Sequence, residues 1–320
     1  MSPFHGTLLD LATLYRDDLD LSPLQRNCPD LSLHAATAPE QVLERIQGRQ
    51  LVISNKVVLN RATLEASPDL KLICIAATGT NNVDLDAARE LGIAVSNVLA
   101  YATPAVVQHV FALILSLTTR LHDYRDAVAR GDWRRSEQFC LLDYPIRELA
   151  GLKLGIVGYG ELGQAVARVA EAFGMSVSIA QRPGGEPRPG RLPLPELLPE
   201  VDVLSLHCPL TEATRGLIGE EELRLMKPDA LLINTARGGI VDETALLSAL
   251  WEGRIGGAGV DVLTEEPPVA GNALLEPDIP NLIVTPHVAW ASRESRQRLV
   301  NEIGLNIAAF LAGKERNRVA

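Results

Sequence analysis

Apolar and polar residues alternate along the chain in blocks that predict helices and strands in turn. Between residues 39 and 97, short and mainly apolar runs are separated by stretches with helical spacing. Near-continuous apolar runs of this length are typical of parallel strands that are buried on both faces. The pattern predicts an α/β architecture, with strands in LVIS, LKLICIAA and IAVSNV and helices in PEQVLERIQG and VDLDAARELG.

The same alternation restarts after Gly151 and predicts a second parallel sheet. A helix over 162–173 has apolar residues on one face and lies between two predicted strands, LKLGIVG and MSVSIA. Further strands are predicted in VDVLSLH, ALLINT, GGAGVDVL and NLIVTP, and helices in EEELRLM, 242–251 and 292–311. Asp242 is the predicted N-cap of the helix that it begins.

A long segment from Thr103 to Gly131 predicts one helix, which is apolar on most of its circumference between Ala105 and Leu117. A helix that is apolar all round must be buried, here in part by another subunit. Its most apolar stretch, 104–118, contains Gln108 and His109 and is shorter than the ~20 residues that cross a bilayer. We therefore expect a core helix.

Composition narrows the class of protein. A chain of 320 residues predicts about two domains. A formal charge of -10 argues against nucleic acid or an anionic membrane as a partner. The start, MSPFHGTLLDL, does not resemble a signal peptide, which predicts a cytoplasmic protein. The four cysteines are far apart and lack metal-ligand spacing, so we expect reduced thiols and no metal site.

A dinucleotide fingerprint, LGIVGYGELG, joins the first strand of the second sheet to its helix. Such glycines let the backbone approach a pyrophosphate, whose charge lies at the helix N-terminus. The alternative is a glycine-rich turn of an ordinary α/β domain, but the strand, helix and strand around it favour a cofactor site. The candidate cofactor residues in this segment are Gly158, Gly160, Glu161, Leu162 and Gly163.

The residues at the end of the next predicted strand indicate whether the protein uses NADH or NADPH. An acidic residue usually binds the adenosine ribose of NAD at this point, but the chain has Gln181 and Arg182 there. No carboxylate would repel a 2′-phosphate, and Arg182 could pair with one. We therefore expect NADPH to be accepted at least as readily as NADH. The alternative is that Arg182 is a solvated loop charge.

Three later segments, LLINTARGGI, DVLTEEPP and LIVTPHVAW, carry Arg237, Glu266 and His287 just beyond predicted strands. Ligands of open parallel sheets bind beyond these carboxyl ends, so the three side chains are expected to converge. A planar guanidinium can hold a carboxylate, and a histidine can donate a proton at neutral pH. Glu266 or its neighbour Glu265 could hold the other ring nitrogen, and the residues alone leave this choice open. The set predicts reduction of a 2-keto acid.

Taken together, these segments resemble the D-isomer-specific 2-hydroxyacid dehydrogenase family from about residue 50 onward. In that family's pattern the glutamate directly precedes a proline, which here matches Glu266 before Pro267. The resemblance assigns the carboxylate-binding arginine to Arg237 and the acid/base histidine to His287. It also implies further NAD(P)H contacts at Thr103, His207, Cys208, Pro209, Ala236 and Asp261.

The resemblance also implies substrate contacts. In the loop AATGTNNVDLDAA, the backbone amides of Thr78 and Gly79 would bind the substrate carboxylate. Without the resemblance, a plain turn capped by Asn82 or Asp84 would be the simpler interpretation. Trp290 would limit the substrate to a small side chain, although it could equally be a core residue at a domain boundary.

The domain layout follows from the same resemblance. It implies two Rossmann-like domains: a flavodoxin-like substrate domain of 1–98 and 290–320, with a dinucleotide-binding domain of 99–289 inserted. It also implies a homodimer that pairs through the helix from Thr103 and through DYPIRELAG. Within the family, QFCLLDYPIRELAG and HVAWASRESRQRL are most similar to glycerate dehydrogenases, also called hydroxypyruvate reductases, so hydroxypyruvate and glyoxylate are the expected substrates.

Three alternatives remain open. The chain could act on another 2-hydroxy acid within the same family. Formate dehydrogenases of similar fold also use an arginine and a histidine, but the glutamate-proline segment favours the hydroxyacid enzymes. A non-enzymatic NAD(H)-binding corepressor is the third alternative, and the complete set of catalytic candidates argues against it.

Overall fold

The computed structural model describes residues 4–320, which form two compact units. One unit runs to Ala102 and resumes at Trp290–Ala320, and the other spans Thr103–Ala289. Each unit is built on its own sheet of parallel strands. The predicted α/β class with two Rossmann-like parallel sheets is therefore confirmed.

The first unit has a five-stranded sheet in the order β2-β1-β3-β4-β5. This is the flavodoxin-like order. Successive side chains enter opposite cores: Leu51 and Ile53 pack on one face, and Val52 packs on the other. The strands are β1 His5–Leu8, β2 Asp30–Leu33, β3 Leu51–Ser54, β4 Leu72–Ile75 and β5 Ala94–Ser96.

Helices cover both faces of this sheet. Numbered along the chain, they are α1 Ser22–Asn27, α2 Val42–Ile46, α3 Arg61–Glu65, α4 Leu85–Glu90 and α12 Arg293–Leu311. Asp84 caps α4 by accepting a hydrogen bond from the Ala87 amide, and Ser292 caps α12 in the same way through the Ser295 amide. These caps satisfy backbone donors that a helix start leaves unpaired.

The second unit has a seven-stranded sheet in the order β12-β11-β10-β9-β6-β7-β8. The strand order reverses between β6 and β9, which is where ligands bind in open α/β sheets. Its strands are β6 Lys153–Val157, β7 Ser176–Ala180, β8 Arg191–Leu192, β9 Val203–Leu206, β10 Leu231–Asn234, β11 Gly257–Val260 and β12 Leu282–Val284.

The helices of the second unit lie on both faces of its sheet. They are α5 Thr103–Thr118, α6 Leu121–Arg130, α7 Asp132–Arg135, α8 Glu161–Ala172, α9 Leu194–Leu197, α10 Glu220–Leu225 and α11 Glu243–Trp251. Asp242 caps α11 by accepting from the amides of Thr244 and Ala245, as the sequence predicts.

The single helix predicted over 103–131 is wrong. The segment forms α5 and α6, which are bent by 56° at a break. Before the break, the hydroxyls of Thr118 and Thr119 donate to the carbonyls of Ile114 and Leu115. Arg120 then adopts a left-handed conformation with φ 53°. Threonine hydroxyls that bond back to the preceding turn bend helices, and one left-handed residue ends the helical path.

Within residues 4–320, no single helix is long and apolar enough to cross a membrane. Only the bent pair α5 and α6, taken together, reaches the length and apolar composition of a span.

Candidate active site

The three catalytic candidates follow three neighbouring strands of the second unit. Arg237 lies in the loop after β10, Glu266 in the loop after β11 and His287 in the turn after β12. Because adjacent parallel strands end at one edge of the sheet, the three loops share that edge. His207 and Gly158 follow β9 and β6 at the same edge.

Glu266 and His287 are in direct contact. The Nδ1 of His287 lies 2.6 Å from Oε2 of Glu266. The other carboxylate oxygen of Glu266 accepts a hydrogen bond of 2.8 Å from the Leu263 amide, which fixes the carboxylate in its own loop. A carboxylate on Nδ1 selects the tautomer with its proton there and stabilises the imidazolium. Glu266, and not its neighbour Glu265, is therefore the acid that orients the ring.

The backbone of His287 is held in an uncommon conformation. Its φ is 53°, in the left-handed region that residues other than glycine seldom adopt. The His287 amide donates to the carbonyl of Asp261 at 2.8 Å, and the Asp261 carboxylate accepts from the amides of Val288 and Ala289 at 2.9 Å each. Asp261 is 1% exposed. This buried aspartate therefore determines the shape of the turn that presents His287.

The Arg237 loop is fixed by a residue that sequence reasoning missed. The Asn234 side chain donates to the Arg237 carbonyl at 3.0 Å and accepts from the Ala236 amide at 3.1 Å. A side chain at Gly238 would overlap the carbonyl of Leu263, so glycine lets this loop lie directly against the loop that carries Glu266. The arrangement brings the arginine loop and the glutamate loop together. The signal available in the sequence was an Asn at the end of the apolar run ALLIN.

The glycine-rich loop after β6 fits a dinucleotide. A Cβ at Gly158 would lie 2.6 Å from backbone atoms of His207 and Cys208, and one at Gly163 would overlap the Gly158 carbonyl. At Gly160, by contrast, a Cβ would meet nothing within 4 Å. The loop is thus closely packed on its protein side and open at the N-terminus of α8, where a pyrophosphate would bind.

Three buried polar atoms lie beyond strand ends of the same unit. They are Oε1 of Gln181, Nδ1 of His207 and Oγ1 of Thr235, and within residues 4–320 each lacks a hydrogen-bond partner. A buried polar atom left in this way is destabilising by about 1–3 kcal/mol. Ribose, phosphate and carboxamide groups of a bound dinucleotide could supply the missing partners. Thr235 was not among the predicted cofactor residues.

The remaining predicted cofactor residues all belong to the second unit. The hydroxyl of Thr103 donates to the Glu161 carboxylate at 2.5 Å, so two of them contact each other. Burial raises the pKa of the Cys208 thiol to about 11, which keeps it protonated. The Pro209 carbonyl accepts from the Thr214 hydroxyl. Arg182 is exposed, Leu162 is half-buried and Ala236 is buried.

The ring of His207 is predicted to make the protein sensitive to acid. Burial lowers its pKa from 6.5 to about 4, and its Nε2 lies 2.9 Å from the Ser205 hydroxyl. Between these two pH values the unfolded chain binds a proton that the folded chain does not, so stability falls as the pH drops from 6.5 to 4. The whole shift corresponds to about 3 kcal/mol.

Urea unfolding of the cofactor-free protein at pH 7 and pH 5 tests this effect. The wild-type protein should lose about 2 kcal/mol more than His207→Gln over this interval, because glutamine does not titrate. If the two proteins lost the same stability, the buried ring would not be the cause.

Three of the predicted substrate residues, Thr78, Gly79 and Trp290, lie in the first unit, whereas Arg237 and His287 lie in the second. The Thr78 hydroxyl donates to the Val98 carbonyl, and the Asn97 side chain donates to the Thr78 carbonyl, both at 2.8 Å. Trp290 packs edge-on against Tyr101 with ring centroids 6.2 Å apart. It also packs against the core on the face of the first sheet to which Leu51 and Ile53 belong. It is half-buried, so part of the indole also stays accessible.

Metal-binding groups do not cluster in the part of the chain that the structure describes. Among residues 4–320, no group of three or more His, Cys, Asp or Glu side chains could hold a metal ion. Cys28, Cys74, Cys140 and Cys208 are free thiols.

Comparison with known proteins extends these observations. The family model described as D-isomer specific 2-hydroxyacid dehydrogenase, NAD binding domain, matches residues 111–289. Glycerate dehydrogenase of Methylorubrum extorquens is 48% identical, over 96% of this chain and 97% of that protein. Hydroxypyruvate reductase of Blautia hydrogenotrophica is 36% identical, over 98% of each. An NADPH-dependent glyoxylate/hydroxypyruvate reductase from Sinorhizobium meliloti has a TM-score of 0.82 at 29% identity, over 99% of this chain and 98% of that one. Similarity therefore covers nearly the whole chain.

Proposed function

The chain belongs to the D-isomer-specific 2-hydroxyacid dehydrogenase family, and on this premise we propose that it reduces hydroxypyruvate or glyoxylate with NAD(P)H. The product is the D-2-hydroxy acid. The observation that carries this proposal is the contact of 2.6 Å between Glu266 and His287, beside the loop of Arg237. Relatives named for glycerate, hydroxypyruvate and glyoxylate favour these two small substrates.

Each side chain has a role that its chemistry suits. The Arg237 guanidinium offers parallel N–H donors to the substrate carboxylate and so orients the keto group. His287 gives a proton from Nε2 to the keto oxygen, and Glu266 stabilises the imidazolium before that transfer. The reduced nicotinamide, when bound, supplies the hydride that C2 accepts. One hydride and one proton together convert the keto acid to the hydroxy acid.

Steady-state turnover tests the proposal. We expect the purified protein to oxidise NADPH or NADH with hydroxypyruvate and with glyoxylate, and more slowly with bulkier 2-keto acids, because Trp290 would limit the substrate to a small side chain. The absence of turnover with any 2-keto acid, despite measurable cofactor binding, would overturn the proposal and favour a binding module. Turnover confined to bulkier keto acids would contradict only the substrate assignment.

We further propose that NADPH is accepted at least as readily as NADH. Gln181 and Arg182 directly follow β7, where an acidic residue would otherwise bind the ribose. Among residues 4–320, no carboxylate forms an ion pair with the exposed Arg182, so its charge is available to a 2′-phosphate. The Sinorhizobium meliloti relative is NADPH-dependent.

Replacing Arg182 with aspartate should reverse this preference. A charged hydrogen bond is lost and a repulsive carboxylate is added, so kcat/KM for NADPH should fall by about 10- to 1000-fold relative to NADH. The measurement is the ratio of kcat/KM for the two cofactors, and Arg168→Asp on the exposed face of α8 is the control. A ratio that Arg182→Asp leaves unchanged would exclude Arg182 as a phosphate contact.

Thr78, Gly79 and Trp290 complete the proposed substrate contacts. Within residues 4–320, the amides of Thr78 and Gly79 donate no hydrogen bond, and both residues are at least partly accessible. Amides of this kind in a glycine-containing loop suit an anionic carboxylate. The contact of Trp290 with Tyr101 gives the indole a fixed orientation, which suits a wall beside a small substrate.

We propose that the protein acts as a cytoplasmic homodimer without a nucleic-acid or membrane partner. Large apolar side chains on the segment after α6 are exposed, among them Phe139 at 90% and Leu142 at 83%. Exposed apolar groups of this size are typical of protein interfaces. Four free thiols suit a reducing compartment. Light scattering should give twice 34.5 kDa, and a mass near 34.5 kDa itself would remove the dimer.

A further inference from the structure

One face of α5 packs along β11 in a regular register, with four residues of the helix for every two residues of the strand. A Cβ at Gly259 would lie 3.0 Å from Cβ of Leu113, and one at Gly257 would lie 3.4 Å from Cδ2 of Leu117. Four residues of helix rise about 6 Å and two residues of strand about 6.6 Å, so the two spacings match. One further step along both elements brings His109 opposite Asp261.

At the next position in this register the contacts between α5 and the end of β11 are polar. The Nε2 of His109 lies 2.9 Å from Oγ1 of Thr285 and 3.5 Å from Oδ1 of Asp261. The Thr285 hydroxyl in turn donates to Oδ1 of Asp261 at 2.5 Å. A histidine, a threonine and an aspartate thus form a chain that leads from the core helix to the turn of His287.

The protons of this chain can be assigned. A carboxylate only accepts hydrogen bonds, and the amides of Val288 and Ala289 already donate to that of Asp261. The single proton of the Thr285 hydroxyl therefore points to Asp261. It follows that Oγ1 of Thr285 accepts from His109, whose Nε2 must carry a proton. Hydrogen bonds in such a chain strengthen one another.

We propose that His109 is a positioning residue for His287, acting through Thr285 and Asp261. By donating to Thr285, His109 fixes the Asp261 carboxylate. This carboxylate accepts from the amides of Val288 and Ala289, and the Asp261 carbonyl accepts from the amide of His287 itself. The left-handed turn, and with it the direction of the imidazole, depends on this support. The inference rests on the proposed acid/base role of His287.

Kinetics of paired variants test the proposal. His109→Leu removes the donor but suits the apolar stripe of Leu113 and Leu117, whereas His109→Gln keeps an N–H donor. We expect His109→Leu to lower kcat for hydroxypyruvate on the order of 10- to 100-fold, the loss that slight misplacement of a catalytic group produces. The KM for hydroxypyruvate should change little, and His109→Gln should restore most of kcat.

The Thr285 variants separate positioning from general packing. Thr285→Val should lower kcat like His109→Leu, and Thr285→Ser should retain activity. The double variant of His109→Leu and Thr285→Val should be no slower than either single variant, because both break one chain. His122→Leu, an exposed histidine of α6, is the control and should match the wild type. If the two losses multiplied, or if His109→Leu kept the wild-type kcat, the proposal would be wrong.

A measurement that needs no turnover tests the hydrogen-bond chain of His109, Thr285 and Asp261 directly. Nitrogen NMR of the cofactor-free protein with labelled histidines should show His109 with a proton on Nε2, and His109→Gln identifies its signal among the six. A neutral ring with its proton on Nδ1 would contradict the proposal. If the wild type reduced no keto acid, the proposed function would fail, whereas this spectrum would still decide the state of His109.

Discussion

Replacing His287 with alanine should lower kcat for hydroxypyruvate by about 10²–10⁴, the usual contribution of a positioned general acid. The ring lies beyond β12 and is oriented by a carboxylate, through the contact of Nδ1 with Glu266. The loss should appear in kcat more than in KM, because the proton is transferred only as the hydride reaches C2. Initial rates of NAD(P)H oxidation at saturating substrate measure it.

The adjacent glutamates provide a matched pair of variants. Glu266→Gln should lower kcat less than His287→Ala, and the double variant should be no slower than His287→Ala, because the carboxylate acts through the ring. Glu265→Gln should leave kcat unchanged. Equal losses from the two glutamate variants would show that the orientation of the ring does not depend on the contact in the structure.

Replacing Arg237 with alanine should lower kcat/KM for hydroxypyruvate by about 10²–10⁴, because two charged hydrogen bonds contribute roughly 1.5–3 kcal/mol each. Arg237→Lys restores the charge but not the planar pair of donors, so it should recover only part of the loss. The Asn234 side chain and the close approach at Gly238 fix the backbone of this loop, which should keep its shape in both variants. Initial rates at low substrate concentration measure the change.

Cofactor binding without substrate provides the control for the Arg237 prediction. The dissociation constant of NADPH, measured by fluorescence titration without substrate, should be the same in Arg237→Ala and in the wild type. If NADPH binding weakened in parallel with kcat/KM, Arg237 would contribute to the cofactor site and its assignment to the substrate carboxylate would be wrong.

Most of the second unit could be predicted from local patterns. Short and mainly apolar runs predict β6, β9 and β10, and parallel topology then places the residues after each strand at one edge. The contact between Glu266 and His287 could not be derived in this way, since two loops of different length must meet. The resemblance named Glu266, and the fold brings it to the ring.

Other features depend on tertiary packing and cannot be predicted from local sequence patterns. The break between α5 and α6 has no glycine or proline, so the helical spacing of 103–131 continues through it. β1 and β2 are short, and β2 lies at the sheet edge with no buried residue, which leaves its sequence without an apolar run. His109 interrupts an apolar stretch in the sequence, and only the register of α5 on β11 reveals why a polar residue is there.

The glycines of β11 have a consequence for engineering this protein. Gly257 and Gly259 carry no functional group, yet Gly259 allows the close contact with Leu113 of α5 that places His109 opposite Asp261, and Gly257 makes room for the Asn281 carbonyl. A library that varies only residues near the substrate would leave them out, although an added methyl at Gly259 would lie 3.0 Å from Cβ of Leu113 and would require that side chain or α5 to shift. In an alignment used to transfer activity between scaffolds, these two positions should be kept together with the helix that packs on them.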